Sequence, residues 1–262
     1  MLSYQHAYHA GSLADVHKHA LLASMLAYLS LKDKPLTYID THAGRGLYQL
    51  DGAESLKTGE AAQGIDLAES LRWFARTHPY AVALAEVRRR YGQRAYPGSP
   101  LVAALALRPG DRSQLAELHP QEFAALTETM LPFDAHCRQI DGPAMALALT
   151  PPEPRRGLML IDPSFEVKAD YEALPKLIAQ VHRKWNVGIV AQWYPILTDR
   201  RHYPMLDALE ALNLPKVLRH EVRFSPARDG HGMIGSGMFI VNAPYGLEDE
   251  AARLGRLFAK LP

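Results

Sequence analysis

The sequence predicts an α/β fold with a mostly parallel, seven-stranded sheet, helices around it and an antiparallel hairpin at one edge. Three observations predict it. Short apolar runs alternate with helical stretches, as in a doubly wound sheet. Three of these runs, "GLMLID", "VGIVAQW" and "GMFIVN", are apolar on successive residues, so both faces are expected to be buried. Four runs close on or just before an acid, at the strand ends where open α/β sheets bind ligands.

The predicted strands are "LTYIDT" (36–41), "SQLAEL" (113–118), "AHCRQI" (135–140), "GLMLID" (157–162), "VGIVAQW" (187–193), "KVLRHEVRF" (216–224) and "GMFIVN" (237–242). A helix is expected over 12–30. Ser12 and Asp15 have capping-box spacing, and Val16, Leu21, Met25 and Leu29 form an apolar stripe. "YEALPKLIAQVHRKW" predicts a helix before the fifth strand, with Pro175 within or near its first turn. "MLDALEALN" predicts another after it. The last two strands, joined by "SPARDGHGMIGS", read as the edge hairpin. Between the first two strands lie about 70 residues, far more than one crossover helix needs. "AAQGIDLAESLRWFARTHP" and "YAVALAEVRRRYGQR" look helical, so a single domain over 1–262 is expected to carry a helical insertion at approximately 50–96. Its Arg88, Arg89, Arg90 and Arg94 are either a solvated helix face or a patch for phosphates.

The formal net charge is +1, so any nucleic-acid surface must be local. A single cysteine, Cys137, excludes an intrachain disulfide and suits a reducing compartment. The first residues do not read as a signal peptide, and no apolar run approaches a membrane span. A cytoplasmic, soluble protein is expected.

The residues just after the strands carry the chemistry. "DTHAGRG" offers Asp40 and a Gly44/Gly46 turn, a weak dinucleotide-type signal because Gln49 stands at the third glycine position. Glu117 can accept both ribose hydroxyls of a nucleoside. Asp141 can accept an adenine amino group, with Gly142 letting the backbone pack near the ring. With Asp162 these acids outline a nucleoside cleft suited to a sulfonium cation. In "DPSF", the Asp162 carboxylate and Pro163 carbonyl can hold the two hydrogens of an aromatic amine, while Phe165 gives a flipped base a ring to stack on.

These motifs, in this order, resemble a Rossmann-like class I S-adenosylmethionine-dependent methyltransferase of the amine-methylating kind. More narrowly, the chain resembles the RlmJ family of bacterial 23S rRNA adenine-N6 methyltransferases. The resemblance runs from "MLSYQHAYHAGSLADVHKH" through "YIDTHAGRGLYQL", "YPGSPL", "LAELHP" and "RRGLMLIDPSFE" to "WYP" and "SGMFIVNAP". It implies S-adenosylmethionine as cofactor and 23S rRNA as substrate, with no metal and no obligatory protein partner. It also implies cofactor contacts from His19, His42, Ser99, Glu117, Asp141 and Gly142, and catalysis by Asp162. Tyr4, His6 and Lys18 are implied to help close the site over cofactor and base. Ser164 departs from the commoner second proline, and Phe165 from tyrosine; a modest effect is expected. A monomer is the default expectation.

Three rival readings are a DNA adenine or protein amide methyltransferase, a non-catalytic RNA-binding protein and a metal-dependent hydrolase. His6, His9, His17 and His19 tempt a metal reading. However, His17 and His19 point to different sides of a helix, and no His-Glu-x-x-His or Cys-x-x-Cys pattern accompanies them.

Overall fold

The computed structural model describes residues 5–226 and 232–261. Nine strands are described: β1 (Thr37–Asp40), β2 (Leu47–Gln49), β3 (Ala95–Pro97), β4 (Arg112–Ala116), β5 (Ala135–Arg138), β6 (Gly157–Ile161), β7 (Ile189–Leu197), β8 (Leu218–Arg223) and β9 (Met233–Val241). Seven form one sheet in the order β5-β4-β1-β6-β7-β9-β8. Strands β5, β4, β1, β6 and β7 pair in parallel; β9 runs antiparallel between β7 and β8. The last two strands therefore do form an antiparallel pair, but only β8 is an edge. From β1 the chain moves outward to β4 and β5 on one side, then returns to β6 and β7 on the other. The order reverses beside β1, and a crevice opens there at the carboxyl ends of the strands.

Alternate residues of each central strand face opposite layers. Tyr38, Leu158 and Leu160 join a core with Leu21, Leu22 and Met25 of the first helix, Leu13–Ser30. Ile39, Met159 and Ile161 face a second core with Ile178, Val181 and Trp185. The first helix is capped as its sequence predicts: the Ser12 Oγ accepts the Asp15 N–H at 3.4 Å. Its burial is wider than an apolar stripe would give. Asp15, His17, Lys18 and His19 are buried along with their apolar neighbours, so each needs an internal partner.

Several predicted boundaries move. Strand β7 extends to Leu197 and β9 begins at Met233, because these two pair across their whole length. Strands β4 and β5 end earlier than predicted, before Glu117 and Gln139. Pro175 is the sixth residue of the helix Asp170–Lys184, just past its first turn. The stretch 61–79 is not one helix. A π-turn, Ala62–Asp66, leads into the short helix Leu67–Ser70, and Arg72 then adopts φ 54°. The physical cause is a close approach: Ile65 N–H donates to the Gly11 carbonyl at 2.8 Å, and a Cβ on Gly64 would lie 2.0 Å from that oxygen. The antiparallel pair β2–β3, not predicted, closes the same region onto the loop after β1. A final helix, Leu247–Phe258, also not predicted, packs on the first helix and β8. No helix among the described residues is long and apolar enough to cross a membrane.

The arginine cluster resolves as a helix face neutralised by its own neighbours. Arg88 pairs with Glu69, Arg89 and Arg90 with Glu86, and Arg94 with Asp66.

Gly64→Ala is expected to push the π-turn off the first helix. The unfolding free energy should drop by about 1–3 kcal/mol, read as a lower urea midpoint with an unchanged slope.

Candidate active site

A cavity of about 630 Å³ lies at the carboxyl ends of the central strands. It gathers residues far apart in sequence. His19, His42, Gly44, Ser99, Glu117, Asp141 and Gly142 line it, and so do His6, Lys18, Asp162, Pro163 and Phe165. Tyr4 and the hairpin tip 227–231 lie outside the described residues.

The β1 end supplies Asp40, fully buried. Its Oδ2 accepts the Tyr38 hydroxyl at 2.7 Å, and its Oδ1 accepts the His42 N–H at 3.2 Å. Burial pushes its carboxyl up to about 6; hydrogen bonds from Ser99 and Tyr38 only partly offset this. Gly44 then turns the chain at φ 60°, and a Cβ there would meet the Tyr48 hydroxyl at 2.4 Å. The turn is tied to the next strand end: Gly44 N–H donates to Glu117 Oε2 at 2.8 Å, and His119 N–H to Oε1 at 2.7 Å. Burial raises the Glu117 pKa, while those two N–H donors pull the other way.

Asp141 caps the helix Gly142–Leu149, its Oδ2 accepting the Ala144 N–H at 2.9 Å. The close approach at Gly142 is to protein: a Cβ would sit 1.9 Å from the Thr41 carbonyl oxygen. The glycine therefore locks this helix start against the loop after β1, a different reason from packing near a ligand ring. Two histidines in the wall are held neutral. Burial depresses His42 to about 4, and His19 to about 3. The His19 ring nitrogen Nδ1 lies 3.0 Å from the Tyr96 hydroxyl.

Beyond β6, Asp162 Oδ2 accepts a hydrogen bond from Lys18 Nζ at 2.6 Å. The same ammonium lies 2.9 Å from Asp15 Oδ1. Burial works against the Lys18 charge, but Asp15 and Asp162 together overcome it and raise its pKa. Asp15 Oδ2 in turn meets His6 Nε2 at 2.8 Å and the Gly11 N–H at 3.0 Å. Burial pushes the Asp15 carboxyl up, yet His6, Lys18 and His19 outweigh it and hold it well below the usual range. Phe165 adopts φ 56°, an uncommon conformation for an aromatic residue. Its ring packs on Tyr171 at 4.7 Å and faces Trp193 at 6.0 Å. Trp193, also in the cavity wall, lies 5.8 Å beneath Lys18 Nζ and donates its indole N–H to Ser236. Ser164 makes one long contact, accepting the Glu166 N–H at 3.4 Å.

Sequence reasoning passed over Asp15 as a cap and Trp193 as part of "WYP". The available signal for Asp15 was its spacing of three from Lys18, on a helix apolar nearly all round. Among the described residues no group of three or more His, Cys, Asp or Glu is placed to hold a metal ion.

The strand order, the reversal beside β1 and the acid-lined cavity at the strand ends define a Rossmann-like class I methyltransferase. A family model described as "Ribosomal RNA large subunit methyltransferase D, RlmJ" matches residues 33–261. The chain belongs to that RlmJ family. It is 40 % identical to "Ribosomal RNA large subunit methyltransferase J" of Escherichia coli (strain K12), over 95 % of this chain and 90 % of that protein. It is 38 % identical to the protein of the same name from Haemophilus influenzae, with the same coverage of both. The crystal structure of protein LPL1258 from Legionella pneumophila superposes with a TM-score of 0.84. It is 33 % identical and covers 95 % of this chain and 92 % of the other.

The raised Asp40 carboxyl gives a signed pH effect. Between about pH 4 and 6 the folded protein holds a proton here that the unfolded chain has released, so this group's contribution to stability falls as pH rises. Above about pH 6 the ionised, buried carboxylate costs on the order of 3 kcal/mol. Asp40→Asn removes that cost. The ligand-free variant should melt higher than wild type at pH 7.5, with the gap closing by pH 4.5 in a calorimetric series.

Proposed function

We propose that this chain transfers a methyl group from S-adenosylmethionine to the N6 amine of an adenine in 23S rRNA. The observation that carries this reading is the Lys18–Asp162 pair, 2.6 Å long, beside Pro163 and Phe165 in the wall of the strand-end cavity. Family membership and the names of both curated relatives support ribosomal RNA over DNA or protein amide as the substrate.

The residues present fit the cofactor. Each Glu117 oxygen accepts one backbone N–H and keeps a lone pair for a ribose hydroxyl. Gly44 lines the cavity, and its φ of 60° lets the loop after β1 turn there. In this reading His19, His42, Gly44, Ser99, Glu117, Asp141 and Gly142 hold the cofactor. The same reading assigns Tyr4, His6 and Lys18 to substrate binding. When bound, S-adenosylmethionine supplies an electrophilic methyl group on a positively charged sulfur.

The chain's own residues then do three things. Asp162 and the Pro163 carbonyl accept the two amine hydrogens, which makes the nitrogen lone pair available. Lys18 engages Asp162 Oδ2, fixing the direction of the carboxylate and leaving Oδ1 for the amine. Phe165, packed on Tyr171, lines the cavity beside Asp162, and a base stacking on such a ring gains about 1–3 kcal/mol. The methylated amine is acidic enough to lose its proton without a strongly basic partner, so Asp162 acts mainly by orienting. The reading takes the enzyme as a monomer acting in the cytoplasm, on RNA, without an obligatory protein partner.

Mass mapping of 23S rRNA fragments from cells with and without the protein tests the substrate. A single adenine-containing fragment should be lighter by one methyl group in the deletion strain, and unchanged fragments would sink the reading. Asp162→Asn should lower methyl transfer by at least about 10²-fold while the S-adenosylmethionine Kd stays within about threefold. Ser164→Pro should leave turnover within about twofold of wild type, since Ser164 contributes one long hydrogen bond.

A further inference from the structure

Asp15 is the most connected buried carboxylate at the site, and a helix cap does not account for all of its contacts. Its side chain is 2 % exposed. The two oxygens divide the work. Oδ2 accepts from the Gly11 N–H and meets His6, which anchors the chain entering the helix. Oδ1 is turned the other way, 2.9 Å from Lys18 Nζ and 3.9 Å from His19 Nε2. Capping needs only Oδ2. We propose that Asp15 is a positioning residue for methyl transfer, acting through Lys18 on Asp162. This rests on the methyltransferase reading above.

One physical consequence follows from the arrangement. Lys18 has three N–H donors, and the two carboxylates on either side of it fix the ammonium's direction. Without Oδ1 the ammonium is free to lean wholly on Asp162 and draw that carboxylate away from the amine. Asp15 itself touches neither cofactor nor base in this account.

The test is a kinetic split with a double-variant comparison. Wild type, Asp15→Asn, Lys18→Met and the double variant are assayed on 23S rRNA with S-adenosylmethionine, alongside thermal melts. Asparagine keeps an acceptor for the Gly11 N–H, so the cap survives. Asp15→Asn should lower kcat at least about tenfold, with the RNA KM and the S-adenosylmethionine Kd within about threefold. In the Lys18→Met background the same substitution should cost no further activity, because the residue it acts through is gone. Wild-type kcat in Asp15→Asn overturns the proposal. So does a tenfold loss that recurs unchanged in the Lys18→Met background, which would make the effect independent of Lys18. Should Asp15→Asn alone melt below the assay temperature, the Lys18→Met pair decides by the same criterion, since it leaves no unpaired buried cation. If wild type places no methyl group on 23S rRNA, it is the functional reading that has failed. If wild type is active and Asp15→Asn equals it, only the role of Asp15 has failed.

Discussion

Burying a lysine ammonium costs several kcal/mol unless carboxylates compensate it, and this protein buries Lys18 between two of them. One, Asp15, stands a turn earlier on the same helix; the other, Asp162, closes the central strand β6. The contact joins the first helix to the strand ends at the point where the cavity opens. It also explains why the helix is so completely enclosed. A helix carrying Asp15, His17, Lys18 and His19 inward holds its place only if each finds a partner. Each does: Asp162 for Lys18, His6 and Gly11 for Asp15, Ser236 and His220 for His17, Tyr96 for His19. The polar interior of this helix is therefore a set of positioned groups around one cavity.

The rest of the site is built by tying loops to each other. Glu117 holds the Gly44 turn, so the ends of β1 and β4 share one hydrogen-bonded corner. Gly142 seats a helix start against the Thr41 carbonyl, which draws the end of β5 into the same corner. Both glycines serve protein contacts before any ligand arrives. The corner is thus organised in advance, and a ligand entering it pays less in ordering cost. The same tying explains the positive φ at Phe165. The chain must leave β6 sharply enough to place its ring between Tyr171 and Trp193.

The insertion between β1 and β4 plays a different part. Arg88, Arg89, Arg90 and Arg94 are matched by carboxylates, Glu86 on the same helix and Glu69 and Asp66 in the segment before it, so the charge of this cluster is spent locally. Its contribution to the site is mechanical. Gly64 lies against Gly11 and His9 against Glu60, which brace the segment leading into the first helix, where His6 meets Asp15.

The sequence by itself determined the layer architecture, because successive apolar residues in "GLMLID" and "VGIVAQW" leave no polar face for solvent. It determined the acids at the strand ends and the Asp-Pro-Ser-Phe motif after β6, because strand ends are local features with local signals. The start of the first helix was equally legible in Ser12 and Asp15. Tertiary structure alone decided the rest. Whether Arg88 to Arg94 faced phosphate or carboxylate depended on Glu69 and Asp66, which sequence distance hides. The break at residues 61–79 came from Gly11, some fifty residues earlier. The link from Asp15 through Lys18 came from Asp162, at the far end of a β-strand. A hydrogen bond or a backbone contact acts over a few ångströms of space. The sequence records such a contact only when the chain also brings the partners close along its length.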